Sequence, residues 1–353
     1  MDNRSNHFDW SDSNLSEILI NVSRGPLIEC HHRGDAVVVN RNGKVLSYIG
    51  DPYKITFIRS AGKPLQTLNV VLSGAAKRFS FSDAELSIMC ASHYGEQFHR
   101  DIVAGIMEKI GLTIDSLLCG TTLSIKPSYA LELVSQHFKF NPTNSDCSGK
   151  HAGMLATCVH AGLSIHDYNK ENHILQKDIL RTVSTICEIN DENIYIGTDG
   201  CSVPVYGMPL YNMALGFAKF ANPQDLDEGY KDACEQIFTA MNNHPEMLAG
   251  TDGFCTELLK HTHGKLVGKL GAEGVYCIGV KNKDIGLAIK IEDGNNNRAM
   301  WPTVMRCLED LNVLDEQELN SLEKYRELDN RTNFDQTIGK VSPVFHLKPI
   351  GSF

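Results

Sequence analysis

Two thiols and a lysine amine, on Cys147, Lys150 and Cys201, form the cluster with the most specific chemistry in the sequence. The first two belong to the segment Cys147-Ser-Gly-Lys-His-Ala-Gly153, and the third ends Asp199-Gly-Cys201. A helix that begins near residue 149 would turn Cys147 and Lys150 to one face, because residues three apart are neighbours on a helix. Thiolates with a nitrogen donor suit Zn²⁺, and three protein ligands beside an open position are typical of a catalytic zinc site.

Two other interpretations of the same cysteines stay open on the residues alone. Cysteine is among the most buried residue types, so Cys147 and Cys201 could be small core residues. Cys147 could also be a nucleophile with His151 as its base. A lysine ligand is itself unusual, because the amine of Lys150 must lose its proton before it binds a metal.

A serine and a lysine also stand three residues apart in Ser60-Ala-Gly-Lys-Pro64, where a strand-like pattern changes to helical spacing. We expect Ser60 to cap that helix, with Pro64 in its first turn. A lysine packed against the apolar start of a helix has a lowered pKa, so Lys63 could serve as the base for the serine. The same pattern recurs in Ser321-Leu-Glu-Lys324, within a charged segment whose side chains are expected to face water.

The strands and helices that must position these residues follow from the hydrophobic pattern. Three strand-like runs lie between residues 18 and 51, separated by turns at Arg33-Gly34 and at Asn40-Arg-Asn-Gly43. A late hairpin is predicted from residues 275–280 and 285–292. Strands at both ends and helices between them predict an α+β fold in a single catalytic domain, residues 1–353, with the sheet at about 16–58 and 265–353 and the mostly helical part at about 60–264.

The composition argues against several functional classes. A hydrophobic content of 42% supports a substantial core, and a formal charge of −10 argues against nucleic acid or an anionic membrane as the main partner. The first 14 residues are polar, and no apolar run reaches the length of a signal peptide or a membrane span, so a cytoplasmic location is expected. Eleven cysteines without paired spacings fit a reducing compartment.

Six motifs, in this order along the chain, together resemble the L-asparaginase II family of Rhizobium type. They are Arg59-Ser-Ala-Gly-Lys-Pro64, Cys90-Ala-Ser-His93 with Gly95-Glu96, Cys147-Ser-Gly-Lys-His-Ala-Gly153, Asp199-Gly-Cys201, Gly271-Ala-Glu-Gly274, and Asp293-Gly294 with Arg298. Since the motifs are independent of one another, their agreement favours this family strongly.

The resemblance implies hydrolysis of the side-chain amide of L-asparagine to L-aspartate and ammonia. It implies a fold similar to serine β-lactamases and penicillin-recognising enzymes, with helices packed around an antiparallel sheet, and a homodimer. Two catalytic serine-lysine pairs are implied, Ser60 with Lys63 and Ser92 with Lys269. A zinc ion is implied on the cluster Cys147, Lys150 and Cys201. The substrate-binding residues that it implies are Arg59, His93, Glu96, His151, Asp199, Glu273 and Arg298.

For the mechanism, we predict that neutral Lys63 takes the proton of Ser60, that Ser60 attacks the amide carbonyl, and that water hydrolyses the acyl-enzyme. Ser92 and Lys269 would relay the proton or hold the oxyanion, and the reverse assignment with Ser92 as the nucleophile stays open. The zinc would orient the amino-acid end of the substrate, since a serine route needs no zinc hydroxide.

Two other functions remain compatible with these residues. Another Ser-Lys amidohydrolase or peptidase of the penicillin-recognising type would be acylated by a β-lactam. A non-enzymatic zinc or redox sensor would use the cysteines as its responsive element, although such a sensor has no need of four serine and lysine positions in register. The segment Ile125-Lys-Pro127 departs from the family pattern, which has a histidine two residues before the proline; this bears on the preference for asparagine over a related amide.

Overall fold

The computed structural model describes residues 16–350 of the chain. The prediction of a polar N-terminus without a signal peptide concerns residues 1–14, which lie outside the described residues. Twelve strands are found in the described part: β1 Glu17–Arg24, β2 Leu27–Asn40, β3 Val45–Ile49, β4 Ile55–Phe57, β5 Tyr195–Thr198, β6 Pro204–Pro209, β7 Leu266–Gly271, β8 Val275–Val280, β9 Ile285–Ile291, β10 Leu328–Arg331, β11 Thr337–Pro343 and β12 Lys348–Pro349.

Most of the α-helices lie in the chain between the N-terminal strands β1–β4 and the C-terminal strands β7–β12. Those in the described part are α1 Lys63–Leu72, α2 Ala75–Arg78, α3 Asp83–Met89, α4 Gln97–Lys109, α5 Pro127–Ser135, α6 Ser148–Ala161, α7 Ile174–Cys187, α8 Leu210–Ala221, α9 Glu228–Asn243, α10 Phe254–Thr262, α11 Trp301–Asp310 and α12 Glu316–Ser321.

Strands from both ends of the described chain form one antiparallel sheet. Its order is β10-β11-β1-β2-β9-β8-β7, with β3 pairing with both β2 and β12. The first half of β2 pairs with β1, and its second half pairs with both β3 and β9. The predicted α+β fold, an antiparallel sheet with helices packed around it, is confirmed. The assignment of the whole chain to a single domain stays a prediction.

Helix α8 packs directly on this sheet because two strand glycines leave no side chain in its path. A Cβ on Gly279 of β8 would overlap the carbonyl oxygen of Phe217, and one on Gly286 of β9 would overlap that of Ala214. The facing side chains of β2, Val37 among them, are fully buried. The apolar pattern of the central strands thus forms the main core with this helix.

The predicted turn at Arg33-Gly34 is wrong. Strand β2 runs through both residues without interruption, and the chain reverses earlier, at Gly25, whose φ is +53°. Gly34 is a glycine for a different reason, since a Cβ there would overlap the backbone of Lys290 in the neighbouring strand β9. The turn at residues 40–43 is confirmed, with Gly43 at a φ of +81° and its N–H donating to the carbonyl of Asn40.

A second, three-stranded sheet has the order β4-β6-β5. The sequence pattern placed residues 55–57 in the main sheet and residues 60–264 in a mostly helical part. Instead, β4 pairs with β6 from the middle of the chain. Short polar and glycine-bearing strands such as β5 carry too weak a pattern to reveal this pairing.

Helix α6 begins at Ser148, with Cys147 at the position before it, so the predicted helix start near residue 149 is confirmed. Gly149 lies where α6 crosses α3, and a Cβ there would overlap the carbonyl oxygen of Ile88. The two helices can therefore cross this closely only with a glycine at position 149. The crossing fixes the helix that carries Lys150 against the helix that leads into Ser92.

We expect the Gly149→Ala variant to unfold more easily than the wild type by roughly 1–3 kcal/mol, because the added methyl group pushes two helices apart. Gly105→Ala is the matched control, since that helical glycine has no atom within 4 Å of an added Cβ. The control should gain about 0.5–1 kcal/mol from helix propensity. Urea unfolding of both variants measures the difference; equal stabilisation by both would show that the crossing tolerates a larger residue.

Within residues 16–350, none of the helices is both long enough and apolar enough to cross a membrane.

Candidate active site

Ser92 lies in the loop after α3, and backbone hydrogen bonds fix that loop. The N–H of Ser92 donates to the carbonyl oxygen of Leu248 at 2.9 Å, and that of Tyr94 donates to the carbonyl oxygen of Ala249 at 2.7 Å. The serine is 9% exposed. The loop thus holds the Ser92 hydroxyl below the surface in a defined position.

Two buried lysines converge on this hydroxyl. Lys63 Nζ lies 3.0 Å from Ser92 Oγ, and Lys269 Nζ lies 2.9 Å from the same atom. Lys63 comes from the first turn of α1 and Lys269 from strand β7. Three segments far apart in the chain therefore form one hydrogen-bonded group, and the predicted partners Ser92 and Lys269 are in contact.

The two lysines have different surroundings. Lys63 Nζ also contacts the carbonyl oxygen of Ala91 at 2.6 Å and the Asp146 carboxylate at 3.3 Å. Burial lowers the pKa of Lys63, but Cys147 and Asp146 beside it raise the pKa more, so the net shift is upward. The predicted lowering of the Lys63 pKa is therefore wrong, because Cys147 and Asp146 outweigh the effect of the apolar helix start.

The lysine with a lowered pKa is instead Lys269. Its amine donates to the carbonyl oxygen of Leu270 at 2.7 Å, in addition to its contact with Ser92. Burial lowers the pKa of Lys269 to about 8. This lysine is thus the one of the two that reaches a neutral form near physiological pH.

Ser60 lies in a short 3₁₀ turn, Arg59–Gly62, that leads into α1. The predicted capping role is wrong, because Gly62 occupies the cap position and no side chain bonds the first turn; Pro64 in that turn is confirmed. Ser60 is half-buried, and its hydroxyl forms no hydrogen bond with a described residue. It is therefore open to an incoming molecule on the same turn that supplies Lys63.

Strand β7 ends against this turn. A Cβ on Gly271 would lie 2.9 Å from the carbonyl oxygen of Ile58 and 3.2 Å from the backbone nitrogen of Ala61. Only a glycine allows the strand to come so close. The approach brings the strand of Lys269 beside the turn of Ser60.

Arg59 connects three parts of the site. Its Nε donates to Asp199 Oδ1 at 3.0 Å, and its Nη1 lies 3.9 Å from Glu273 Oε1. Arg59 and Glu273 have φ values of +50° and +60°. Left-handed backbone at residues with a Cβ costs about 1–3 kcal/mol and clusters at functional sites. The turns that carry Ser60, Asp199 and Glu273 therefore meet at a strained, charged rim.

The predicted metal ligands lie together. Lys150 Nζ donates to Cys201 Sγ at 3.2 Å, and the thiol of Cys147 is hydrogen-bonded to Cys201. Asp199 Oδ2 lies 3.9 Å from Cys201 Sγ and 4.0 Å from Lys150 Nζ. Two ligands of a tetrahedral zinc ion stand roughly 3.6 Å apart, from Zn–S and Zn–N bonds of about 2.3 and 2.1 Å. The donor types of this cluster and the distance between Lys150 and Cys201 fit zinc.

Lys150 is needed as a ligand for any metal at this position. In the part of the chain that the structure describes, no three histidine, cysteine, aspartate or glutamate side chains are placed to hold a metal ion. The hydrogen bond from Cys147 lowers the pKa of Cys201, and the same bond raises that of Cys147. Burial lowers the pKa of Lys150, but Cys201 and Cys147 raise it more. A bound metal would displace a proton from the Cys147 thiol and one from the Lys150 ammonium, while Cys201 would bind as the thiolate it already is.

His93 and Glu96 bond to the protein itself. His93 is fully buried, lies 2.9 Å from Ser148 Oγ through Nε2, and accepts from the N–H of Gly95 through Nδ1. Burial lowers its pKa well below the usual value. The Glu96 carboxylate accepts from the N–H and the hydroxyl of Thr251 at 3.0 and 2.9 Å. Both side chains thus brace the Ser92 loop.

His151 and Arg298 occupy different environments. His151 Nδ1 lies 2.7 Å from the Tyr168 hydroxyl, while Nε2 is buried without a hydrogen-bond partner among the described residues. Burial lowers the pKa of His151. Arg298 lies in a π-helical turn, Asn296–Met300, and its side chain forms no hydrogen bond with a described residue. The structure brings His151 to the metal cluster and gives no contact between Arg298 and the rim.

Sequence reasoning missed Asp146 and Tyr168. Asp146 contacts Lys63 and stands 3.6 Å from Cys147 Sγ. A signal was available for it, since it is the residue directly before Cys147. Tyr168, fully buried against His151, carries no comparable signal because it lies in an irregular segment outside every motif.

A comparison with known proteins identifies the family of this chain. The model of the L-asparaginase II family matches residues 20–343. The chain belongs to the L-asparaginase II family. Among curated proteins none matches the chain.

Two solved structures resemble this L-asparaginase II family member at low similarity. One is a β-lactamase from Mycobacterium bovis, 13% identical, which covers 83% of this chain and 95% of its own, with a TM-score of 0.38. The other is Mglu in its tris and glutamate form, 12% identical, which covers 85% of this chain and 63% of its own, also with a TM-score of 0.38.

Proposed function

We propose that this protein is an L-asparaginase that hydrolyses the side-chain amide of L-asparagine to L-aspartate and ammonia through a serine acyl-enzyme. The observation that carries the proposal is the group Lys63, Ser92 and Lys269, in which two lysine amines lie 3.0 and 2.9 Å from one serine hydroxyl. The family supports amide hydrolysis of this type. A buried serine between two lysines is suited to moving a proton.

Ser60 is the nucleophile in this proposal. A nucleophile must reach the substrate carbon, and the half-buried Ser60 is more accessible than Ser92, which is 9% exposed and already bonded to two lysines. Ser60 attacks the amide carbonyl, the bond from carbon to the amide nitrogen breaks, and the nitrogen takes up the proton that Ser60 released and leaves as ammonia. Water then hydrolyses the ester, and Ser60 regains its proton.

The proton of Ser60 passes through the Lys63–Ser92–Lys269 group. Lys63 accepts it while giving one of its own protons to Ser92, and Ser92 passes a proton to Lys269. This order follows from the opposite pKa shifts, because Lys269 has the lowered pKa and Lys63 the raised one. This order of proton transfer replaces the hypothesis that Lys63 is neutral before the reaction begins. Ser92 and Lys269 keep their predicted role as the proton relay.

Substrate binding is assigned to the charged rim together with Arg298, which has no contact with the rim among the described residues. Arg59 and Arg298 are the cations suited to the α-carboxylate of an amino acid, and Asp199 and Glu273 are the anions suited to its ammonium group. His93, Glu96 and His151, which the family resemblance implies as substrate contacts, support the site from behind through their bonds to Ser148, Thr251 and Tyr168.

Zinc is the metal proposed for Cys147, Lys150 and Cys201. When bound there it would supply a Lewis acid with an open coordination position, which would help to orient the amino-acid end of the substrate. The proton transfers above use only side chains of the protein, so the proposal assigns no zinc hydroxide to them.

Removal of the metal by a chelator is expected to raise KM for L-asparagine and to lower the melting temperature, while kcat changes less. The stability falls because a ligand that binds only the folded state stabilises it by mass action. Steady-state kinetics and thermal unfolding before and after chelation, with zinc added back, measure both effects. An unchanged KM with lost kcat would contradict the orienting role.

The function is tested by ammonia release from L-asparagine by the purified, zinc-loaded protein. L-glutamine is the comparison substrate, since the divergent residues 125–127 lie beside the active site: Ser124 donates to the carbonyl oxygen of Tyr94 at 2.6 Å. Release from neither amide would contradict the proposal. Acylation by a β-lactam without ammonia release would favour the penicillin-recognising alternative, and reversible thiol oxidation without either would favour a sensor.

A cytoplasmic location and a homodimer are part of the same proposal. All eleven cysteines are free, which supports a reducing compartment. Sedimentation of the purified protein measures its oligomeric state directly.

A further inference from the structure

Asp146 lies outside all six motifs, yet it contacts Lys63 twice. Its carboxylate Oδ2 and its backbone carbonyl oxygen each lie 3.3 Å from Lys63 Nζ. The Asp146 side chain is 24% exposed, whereas the lysine is fully buried. A carboxylate at the edge of the site thus reaches the amine at its centre.

The surroundings of Lys63 Nζ show what these contacts do. Its other neighbours are the carbonyl oxygen of Ala91 at 2.6 Å and the hydroxyl of Ser92 at 3.0 Å. Carbonyl and carboxylate oxygens only accept, so the hydrogens of an ammonium group are shared among Ala91, Asp146 and Ser92. Among these acceptors, only the Ser92 hydroxyl also has a proton to exchange.

A lysine side chain is a flexible four-carbon stem and holds a fixed place only where its amine is anchored. Without the Asp146 carboxylate, only the backbone carbonyl oxygens of Ala91 and Asp146 would oppose the contact with Ser92, and the amine could turn toward the space left by the carboxylate. We propose that Asp146 is a positioning residue that holds Lys63 Nζ against Ser92 Oγ. This inference rests on the proposed function, in which that contact carries a proton.

The position of Asp146 in the chain makes a second measurement necessary. The residue directly precedes Cys147, and its Oδ2 lies 3.6 Å from Cys147 Sγ. A change at Asp146 could therefore act on the metal cluster instead of on Lys63. Zinc content has to be measured on every variant.

The test compares Asp146→Asn and Asp146→Ala with a matched control, Asp329→Asn. Asp329 also pairs with a lysine, Lys340, at 3.0 Å, and its side chain is likewise 24% exposed, but it lies on strand β10 at the edge of the main sheet. For each purified, zinc-loaded protein, kcat, KM, bound zinc and the rate of serine labelling by a fluorophosphonate are measured. The alanine variant should lose up to about 100-fold in kcat, the loss expected for a catalytic group misplaced by about 1 Å, with KM and zinc unchanged.

The isosteric Asp146→Asn variant should fall between the wild type and the alanine variant, because an amide oxygen still accepts from Lys63, and the control should match the wild type. Wild-type kcat in Asp146→Ala, or a loss of kcat matched by an equal loss of zinc, would overturn the positioning role. Serine labelling slows with the loss of Lys63 positioning whatever the natural substrate is. A wild-type protein that reacts with the fluorophosphonate but releases no ammonia would thus count against the proposed function. In that case the labelling rates of the variants would decide whether Asp146 positions Lys63.

Discussion

The Ser60→Ala variant is expected to release ammonia from L-asparagine on the order of 10⁶-fold more slowly than the wild type, the scale of loss when a catalytic serine is removed from a serine hydrolase. Its folding should be unaffected, because the Ser60 hydroxyl makes no hydrogen bond with a described residue. Mass spectrometry with a slowly hydrolysed substrate should find an acyl group on the wild type and none on the variant.

The chain offers a matched control in its second Ser-x-x-Lys sequence. Among residues 16–350, Ser321 bonds only the carbonyl oxygen of Gln317 at the surface, so Ser321→Ala should retain full activity. Ser92→Ala should still form the acyl-enzyme, but slowly, since the relay is broken. An acyl group that persists in Ser60→Ala and disappears in Ser92→Ala would move the nucleophile to Ser92.

The second large effect is expected at Lys269. Burial lowers the pKa of this lysine to about 8, and only its neutral form accepts a proton from Ser92. The rate should therefore rise with pH and reach half its maximum near pH 8, because the ammonium form that predominates below that pH blocks the relay. Lys269→Arg keeps the side chain charged and should lose roughly 10²- to 10⁴-fold in kcat at every pH, the usual contribution of a general base.

Lys265→Arg is the control for this prediction. Lys265 precedes the same strand but pairs with Glu318 and Asp315 at the surface. It should keep both the rate and the pH profile of the wild type. A wild-type profile that is flat from pH 7 to pH 9, or an active Lys269→Arg variant, would exclude Lys269 as the proton acceptor.

The sequence revealed those parts of the site that depend on short spacings. Cys147 and Lys150 share a helical face because three residues separate them at a helix start, and a local pattern is enough to predict that. The hairpin of β8 and β9 follows in the same way from two apolar runs and a turn. Such features need no knowledge of the rest of the fold.

The parts that were predicted wrongly depend on distant partners. Gly34 was taken for a turn because a glycine can mark either a turn or a close backbone approach, and only the position of β9 distinguishes the two cases. The pKa of Lys63 is raised by Cys147 and by the preceding residue Asp146, 83 residues away from the lysine, so the helix start alone gave the wrong direction. The family motifs name Ser92 and Lys269 as partners, whereas the spacing of two residues so far apart in the chain predicts no contact between them.

The order of the main sheet also bears on how the protein is made. Strand β1 lies between β2 and β11, and β7, which carries Lys269, joins the sheet only through β8 and β9. A nascent chain that has passed α6 already contains Ser60, Lys63 and Ser92, but the central strands still have open edges until the C-terminal strands leave the ribosome. Such long-range pairing is slow, and open edges invite aggregation. Synthesis thus leaves the hydrolytic group incomplete until strands β7, β8 and β9 have been translated.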